Sequence, residues 1–189
     1  MRPSSREGFY MRATNVQSAA MDIRTQFLDG MSRAAFCVNV VTTDGPAGRA
    51  GVTVSAMSSV SADGSTPTVL VCIHHQSKTA AAIVDNGVFC INILRDDQAD
   101  IADHFGGRSK FGGDDKFAYG QWLPSESGAP RLAETVVAFD CRVISSERVG
   151  THHIFVGAVG AVAVGSGRAL IYADRVYGRA HPIPASQTS

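Results

Sequence analysis

The chain alternates between short apolar runs and segments rich in glycine, proline and polar residues. β-Branched and aromatic residues dominate the apolar runs, which is typical of strands bounded by turns. Six or seven strands are predicted, at residues 36–43, 52–61, 68–74, 88–94, 136–149, 152–165 and 169–179. Apolar residues at helical spacing predict two or three short helices, at residues 24–35, 77–87 and 96–107.

The order of these elements favours one class of fold. Strands and helices do not alternate regularly, which argues against a doubly wound parallel sheet. A mainly β fold is predicted instead, a mostly antiparallel barrel with inserted helices, because closing a sheet removes its free edges. The strands at 136–149 and 152–165 are expected to pair as a hairpin. Residues 108–131 show little periodicity and are expected to form a long surface loop.

Length and charge limit the number of domains and the classes of binding partner. The 189 residues carry 17 basic and 17 acidic side chains, so no basic surface for nucleic acid or anionic lipid is expected. No apolar run approaches the ~18 residues needed to cross a membrane. One domain is expected at residues 23–180. Residues 1–22 are expected to be a disordered or arm-like lead-in, and residues 181–189 a flexible tail.

The four cysteines lie in apolar, strand-like stretches and form no CxxC pair. They are Cys37, Cys72, Cys90 and Cys141. Buried free thiols are the simplest interpretation, and they favour a reducing, cytoplasmic location.

Hydroxyl side chains are concentrated in the predicted strand at residues 52–61. Strict alternation along this strand would put Thr53, Ser55 and Ser59 on one face. Such a face is most often exposed to solvent. It can also be one wall of a polar groove that binds a ligand rich in hydrogen-bond acceptors.

The sequence HHQSKTAA at residues 74–81 runs from a buried strand into a helix. Ser77, Lys78 and Thr79 would lie in the first turn, where free backbone N–H groups and the helix dipole attract an anion. Ser77 can equally be an ordinary N-cap. Neither GxxxxGK[ST] nor a GxGxxG motif after a strand is present, so neither a P-loop nor a Rossmann site is supported.

Two adjacent histidines, His152 and His153, begin the strand at residues 152–165. Neighbouring residues of a strand point to opposite faces, so the pair cannot serve one site. No metal-binding spacing accompanies them. One of the two could contact a ligand in a pocket, although isolated strand histidines are more often surface or core residues.

Seven segments in a fixed order carry a likeness to a known family: FLDGMSRAAFCVNVVTT, GRAGVTVSAMSSVS, TVLVCIHHQSKTAAAI, GVFCINIL, a helix ending HFGGR, DCRVISSERVGTHHIFVG and LIYADRVYGR. Over residues 24–179 the chain resembles the small flavin reductases of two-component monooxygenases, such as the reductase component of 4-hydroxyphenylacetate hydroxylase. GTHHIFVG is similar to the family's Gly-Asp-His motif, with Thr151 in place of the aspartate. His152 is then the motif histidine.

The resemblance implies an antiparallel, FMN-binding split barrel that forms a homodimer. NADH or NADPH would reduce FMN or FAD by hydride transfer, and the reduced flavin would diffuse to a flavin-dependent oxygenase. His152 would be the catalytic residue, in contact with nicotinamide or flavin. The resemblance also implies the following cofactor-binding residues: Thr53, Val54, Ser55 and Ala56 along the isoalloxazine, with Ser59 on the same face; His74, Ser77, Lys78 and Thr79 at the ribityl phosphate; Phe105 and Gly106 shaping the pocket; and Arg175 and Tyr177 at the rim.

Two alternatives share this fold. The flavin could be a tightly bound prosthetic group that reduces another acceptor, such as a corrin cobalt, an iron chelate or a quinone. The barrel could also be a non-catalytic flavin- or haem-binding module. The choices between FMN and FAD, and between NADH and NADPH, stay open at this point.

Overall fold

The computed structural model describes residues 22–108 and 115–183. Three α-helices, α1 (Ile23–Arg33), α2 (Lys78–Asn86) and α3 (Ala99–Phe105), and a 3₁₀ turn at Lys116–Ala118 accompany the strands. The strands are β1 (Phe36–Cys37), β2 (Asn39–Thr43), β3 (Ala50–Val54), β4 (Met57–Ser61), β5 (Thr68–His74), β6 (Val88–Ile93), β7 (Trp122–Pro124), β8 (Pro130–Leu132), β9 (Val137–Val149), β10 (His152–Val164), β11 (Leu170–Ala173) and β12 (Val176–Arg179).

Seven strands form one antiparallel sheet in the order β3-β2-β6-β9-β10-β5-β4. Its longest pair is the predicted hairpin of β9 and β10, which turns through Gly150 at a positive φ of 58°. β1, β11 and β12 form a separate three-stranded sheet, and β7 pairs with β8. The prediction of a mainly β, antiparallel fold with inserted helices is confirmed.

The two edges of the seven-stranded sheet are joined by only two residues. β3 lies at one edge and β4 at the other, yet Ser55 and Ala56 alone connect them. The backbone N–H of Cys72 on β5 donates to the carbonyl of Ala56 (3.0 Å). The sheet must therefore curl until its edges meet, which gives an incompletely closed, split barrel.

This geometry corrects the prediction of one strand over residues 52–61. The chain leaves one edge of the sheet after Val54 and joins the opposite edge at Met57. Alternation is broken at the bend, so Thr53, Ser55 and Ser59 do not share one strand face. Sequence periodicity alone cannot reveal such a change of edge, since both halves keep a strand-like composition.

Apolar side chains of the core form two large clusters. Val41, Phe89 and Phe155 are fully buried in the first cluster, together with Ile83 of α2. A second cluster, around Phe105 of α3, packs under the small three-stranded sheet. The two helices therefore cover different parts of the barrel, and both contact β3.

Three local predictions need correction. Residues 108–131 are not simply a surface loop, because their described part contains the 3₁₀ turn, β7 and the start of β8, with Ala129 buried. The strands predicted at 36–43 and 169–179 are each split in two. Of the four free cysteines, only Cys90 and Cys141 are buried, whereas Cys72 is half-buried and Cys37 exposed.

The expected N-terminal lead-in lies, except for Asp22, outside the described residues, and so does most of the expected tail from residue 184 onward. Among the helices in the described parts of the chain, none has the length and apolar character needed to span a membrane.

Candidate functional site

A groove of about 260 Å³ opens where β3, β5 and β10 meet, and we call it the strand groove. The bend between β3 and β4 forms one wall, which offers main-chain groups and small side chains. The first turn of α2 closes one end. Its lining residues are Val52, Thr53, Val54, Ser55, Ala56, Cys72, Ile73, His74, Ser77 and His152.

A second and larger cleft, of about 430 Å³, lies beside the start of α2, and we call it the helix cleft. It differs from the strand groove in its charge, because it contains three cationic side chains and one carboxylate. Its lining residues are Arg49, Ala50, Gly51, Ser77, Lys78, Thr79, Asp115, Lys116 and Phe117. Ser77 lines both spaces, so they are neighbours.

The sequence explains why α2 begins at this point. Ser77 is the N-cap, and its hydroxyl accepts a hydrogen bond from the backbone N–H of Thr79 (3.2 Å). Gly87 ends the helix in the left-handed conformation (φ 69°), as the Asn-Gly signal predicts. The positive end of the helix dipole therefore faces the helix cleft, beside Lys78. The arrangement can bind an anion.

Two histidines stand together at the strand groove. His152 on β10 is the cross-strand partner of His74 on β5, and their ring centroids are 5.2 Å apart. The hydroxyl of Thr151 lies 3.0 Å from Nδ1 of His152. Nδ1 of His74 accepts a hydrogen bond from the backbone N–H of Gln76 (3.2 Å). Both side chains are exposed and oriented by neighbours, and the His74 ring also stacks on His75 with 5.0 Å between ring centroids.

The other two histidines at this end of the barrel have different surroundings. His153 points to the opposite face, as predicted, and stacks on Phe155 with 5.5 Å between ring centroids. His75 is half-buried beside the turn between β9 and β10. Its backbone N–H donates to the carbonyl of Thr151 in that turn (2.9 Å). Loss of hydration lowers the pKa of His75, and the Arg148 guanidinium lowers it further.

α3 supports the floor of both spaces. The hydroxyl of Thr53 donates to the carbonyl of Ala102 (2.7 Å), which ties β3 to the helix, and Gly106 lies close to Thr53. Phe105 is fully buried beneath Gly51, where a Cβ atom would come within 2.5 Å of the Phe105 ring. Phe105 and Gly106 therefore shape the site from below, without lining the open surface themselves.

Three of the expected residues lie apart from the two spaces. Ser59 is exposed on β4, opposite Val69. The hydroxyl of Tyr177 donates to Asp103 (2.9 Å) on the far side of α3. Arg175 occupies the turn between β11 and β12, 4.0 Å from Asp29 of α1.

Sequence reasoning missed six residues of the helix cleft: Arg49, Ala50, Gly51, Asp115, Lys116 and Phe117. Arg49 and Gly51 belong to a glycine-rich connection that reads only as a turn. Lys116 and Phe117 lie in the segment without periodicity. No local signal marks any of them, because the fold alone brings them to the start of α2.

These residues fit a ligand with one flat, polar part and one anionic part. Main-chain groups, hydroxyls and two exposed histidine rings line the strand groove, while cations and a helix N-terminus line the helix cleft. Within residues 22–108 and 115–183, no cluster of side chains is suited to a metal ion. An open antiparallel barrel with such a two-part site defines the class of flavin-binding split barrels.

The chain belongs to the flavin reductase like domain family, whose sequence profile matches residues 31–181. It is 45% identical over 166 residues to an FMN reductase (NADH), RutF 1, of Methylorubrum extorquens, and the match covers 87% of this chain and 81% of the relative.

Two solved structures extend the likeness to the fold. A homologue of nitrilotriacetate monooxygenase component B from Mycobacterium thermoresistibile matches with a TM-score of 0.76 and 26% identity, over 88% of this chain and 91% of the other. The NADH:FAD oxidoreductase SgcE6 of Streptomyces globisporus also matches with a TM-score of 0.76 and 26% identity, over 85% of this chain and 95% of the other.

Proposed function

We propose that this protein is an NADH-dependent flavin reductase, which transfers a hydride from NADH to oxidised flavin and releases the reduced flavin to a separate oxygenase. The observation that carries the proposal is the contact of two subsites of different chemistry at Ser77. A flavin nucleotide has the same two parts, a flat polar ring system and a phosphate. The relative from Methylorubrum extorquens is named for this activity.

When both are bound, NADH and flavin supply the hydride chemistry themselves, so the chain has only to bind and orient them. The segment Thr53–Ala56 offers hydroxyl and main-chain groups to the edge of a flat ring. Main-chain N–H groups there can stabilise negative charge that develops on reduction. No acid–base pair is needed, since the proton at the flavin exchanges with water.

The two subsites then have distinct roles. His152, beside His74 on the open side of the strand groove, is proposed to orient the nicotinamide against the flavin. Ser77, Lys78 and Thr79 are proposed to hold the ribityl phosphate at the start of α2. The strand groove is shallow, with hydroxyls and exposed rings as its polar contacts. A shallow site favours release of the product over permanent retention.

The proposal is tested by NADH oxidation in air with no flavin, with FMN or with FAD, followed by gel filtration. We expect a rate that depends on added flavin and saturates with it, and protein that elutes without flavin. Co-elution of one flavin per chain, with a rate unaffected by added flavin, would favour the prosthetic-group alternative. Replacing NADH with NADPH in the same assay measures the choice of nicotinamide cofactor.

A homodimer is also proposed, and helix α1 supports it. The helix contacts the rest of the chain from its polar side, where the carbonyl of Ser32 accepts from the N–H of Asp174 and Asp29 lies near Arg175. Its apolar side is left open, with Ile23 79% and Phe27 62% exposed. A second copy would cover this face, and a net charge of zero offers little repulsion against it.

The acceptor of the reduced flavin is proposed to be a monooxygenase encoded as a separate protein. The name of the Mycobacterium thermoresistibile homologue, component B of a monooxygenase, supports this proposal. A cytoplasmic location is proposed as well. Its support is the free thiols of Cys90 and Cys141, whose pKa values are raised by burial.

A further inference from the structure

Lys116 is a half-buried cation in the wall of the helix cleft. It begins the 3₁₀ turn, and its Nζ donates to the carbonyl of Phe105 (2.9 Å) while lying 5.9 Å from the centre of the Phe105 ring. Among the ion pairs of the described residues, none includes Lys116. Burial lowers the pKa of its ammonium group.

An ammonium group taken partly out of water is costly unless an anion or several hydrogen bonds compensate it. Within the described parts of the chain, the Phe105 carbonyl takes one of the three N–H donors of Lys116, which leaves two for a ligand. An anion in the helix cleft would supply the missing charge. A negatively charged group in the cleft would therefore compensate the half-buried ammonium more fully than its contacts with Phe105 do.

The other charged side chains of the helix cleft do not cancel its positive charge. Arg49 is paired with Asp44 (3.3 Å), and its guanidinium stacks over Phe117 at 5.2 Å from the ring centre. Asp115 accepts the backbone N–H of Phe117 as the cap of the 3₁₀ turn. Lys78 lies across the cleft from this turn, at the start of α2. With Arg49 paired to Asp44, the two lysines outnumber the one carboxylate of the lining, so the cleft as a whole keeps a net positive charge.

We propose that Lys116 determines flavin specificity by binding the terminal phosphate, so that the protein prefers FMN to riboflavin and to FAD. This inference rests on the proposed function. A phosphate monoester carries close to two negative charges at neutral pH, since its second pKa is about 6. Riboflavin has no phosphate, and each phosphate of the FAD diphosphate bridge carries a single charge. Charge-assisted hydrogen bonds are roughly twice as strong as neutral ones, so the dianion gains most.

A purely structural role for Lys116, as a tie between the 3₁₀ turn and α3, would have another signature. Loss of that tie would lower the stability of the protein and would weaken the binding of all three flavins by the same factor. Phosphate binding would affect FMN more than riboflavin. The difference between flavins therefore separates the two roles.

The experiment measures dissociation constants of FMN, FAD and riboflavin by quenching of flavin fluorescence, for the full chain and three variants. Lys116→Met keeps the apolar stem over Phe105 and removes the charge, Lys116→Arg keeps the charge, and Arg168→Met removes an exposed cation elsewhere. We expect Lys116→Met to weaken the affinity for FMN by about tenfold or more and the affinity for riboflavin by less than about twofold. Lys116→Arg is expected to restore most of the FMN affinity, and Arg168→Met to change neither.

Three results would overturn the inference. Equal affinity of the unaltered protein for FMN and riboflavin would do so, and so would equal losses of all three flavins in Lys116→Met. A rise in the KM for NADH in Lys116→Met, with FMN affinity unchanged, would assign the cleft to the phosphates of the nicotinamide cofactor instead. Failure of all three flavins to bind the unaltered protein would refute the proposed function itself, and this inference with it.

Discussion

His152 is the residue proposed to connect the barrel to its chemistry. It lies opposite His74 across the β5–β10 pair, at the mouth of the strand groove, and Thr151 orients its ring. His153, one residue further, points into the barrel and stacks on Phe155. A strand can present only one of two adjacent side chains to a groove, and the fold presents His152.

Replacing His152 with alanine is expected to lower the rate of flavin reduction by about tenfold or more, because a group that orients the reactants is lost. The affinity for FMN is expected to change little, since the phosphate end is untouched. Single-turnover reduction rates and fluorescence titrations measure the two effects separately. His181→Ala, an exposed histidine elsewhere on the chain, is the control. Unaltered rates in His152→Ala would remove this residue from the mechanism.

A second prediction concerns the pH dependence of stability through His75. Its folded-state pKa lies below the ordinary value of 6.5, so the unfolded chain takes up the proton first as the pH falls. The stabilisation is therefore complete above the pKa that His75 has in the unfolded chain. It is lost as the pH falls toward and through the lower pKa that His75 has in the folded protein. Thermal melting between about pH 8 and pH 5 should show this loss, and it should be smaller in His75→Gln. An unchanged pH profile in His75→Gln would contradict the assignment, and His181→Gln is the matched control.

At the residue scale, the sequence locates the side of the helix cleft formed by the start of α2 better than the side formed by Arg49 and Lys116. Ser77, Lys78 and Thr79 could be predicted because an N-cap, a lysine and a strand–helix junction all occur within a few consecutive positions. Arg49 and Lys116 could not, because their proximity to α2 depends on how a turn and an aperiodic segment fold over the barrel. Arg175, expected at the rim of the site from the resemblance alone, lies 4.0 Å from Asp29 of α1 in the structure, so its place at the rim stays a prediction.

At the scale of elements, the N-cap of α2 serves two purposes. Ser77 satisfies a backbone N–H as N-cap and also lies where the two ligand spaces meet. Stability and binding can be separated there, because aspartate is as good an N-cap as serine but brings a negative charge to the cleft.

Ser77→Ala is expected to lower the free energy of unfolding by about 1 kcal/mol through loss of the cap. Ser77→Asp is expected to keep the stability of the unaltered protein. It is expected to weaken the affinity for FMN at least as much as Ser77→Ala does. Urea unfolding and fluorescence titration of both variants are the measurements. If Ser77→Asp bound FMN as tightly as the unaltered protein, the phosphate would not lie at the start of α2.

The strand elements show what periodicity can and cannot tell. β5, β6, β9 and β10 could be predicted nearly to the residue, because each is a continuous apolar or alternating run bounded by a turn. The bend between β3 and β4 could not, since Ser55 and Ala56 differ little in composition from their neighbours. That bend is the wall of the strand groove, so the least predictable backbone lies at the site itself.

At the scale of the whole molecule, the apolar face of α1 predicts the oligomeric state. Sedimentation of the full chain should give the mass of two copies. Phe27→Gln should shift the equilibrium toward one copy, because it places a polar group at the centre of the covered face. Arg33→Gln, on the polar side of the same helix, is the matched control and should stay dimeric. A monomer at all concentrations in the unaltered protein would contradict the proposed homodimer.

The whole fold is organised around bringing two edges of one sheet together, and the site lies where they meet. The antiparallel barrel could be predicted from the order of the elements, whereas its split was predicted only through the resemblance to the flavin reductases, because no periodicity marks the change of edge. The consequence for function is an open groove, in which two flat ring systems can meet and from which one can leave.

The most direct test of the account is anaerobic mixing of the full chain with FMN and excess NADH, with absorbance recorded in the visible band of oxidised flavin. If the barrel is a flavin reductase, the band bleaches at a rate proportional to protein concentration and returns when air is admitted. A band that persists with FMN and with FAD, under NADH and under NADPH alike, would contradict the assignment of this barrel as a flavin reductase.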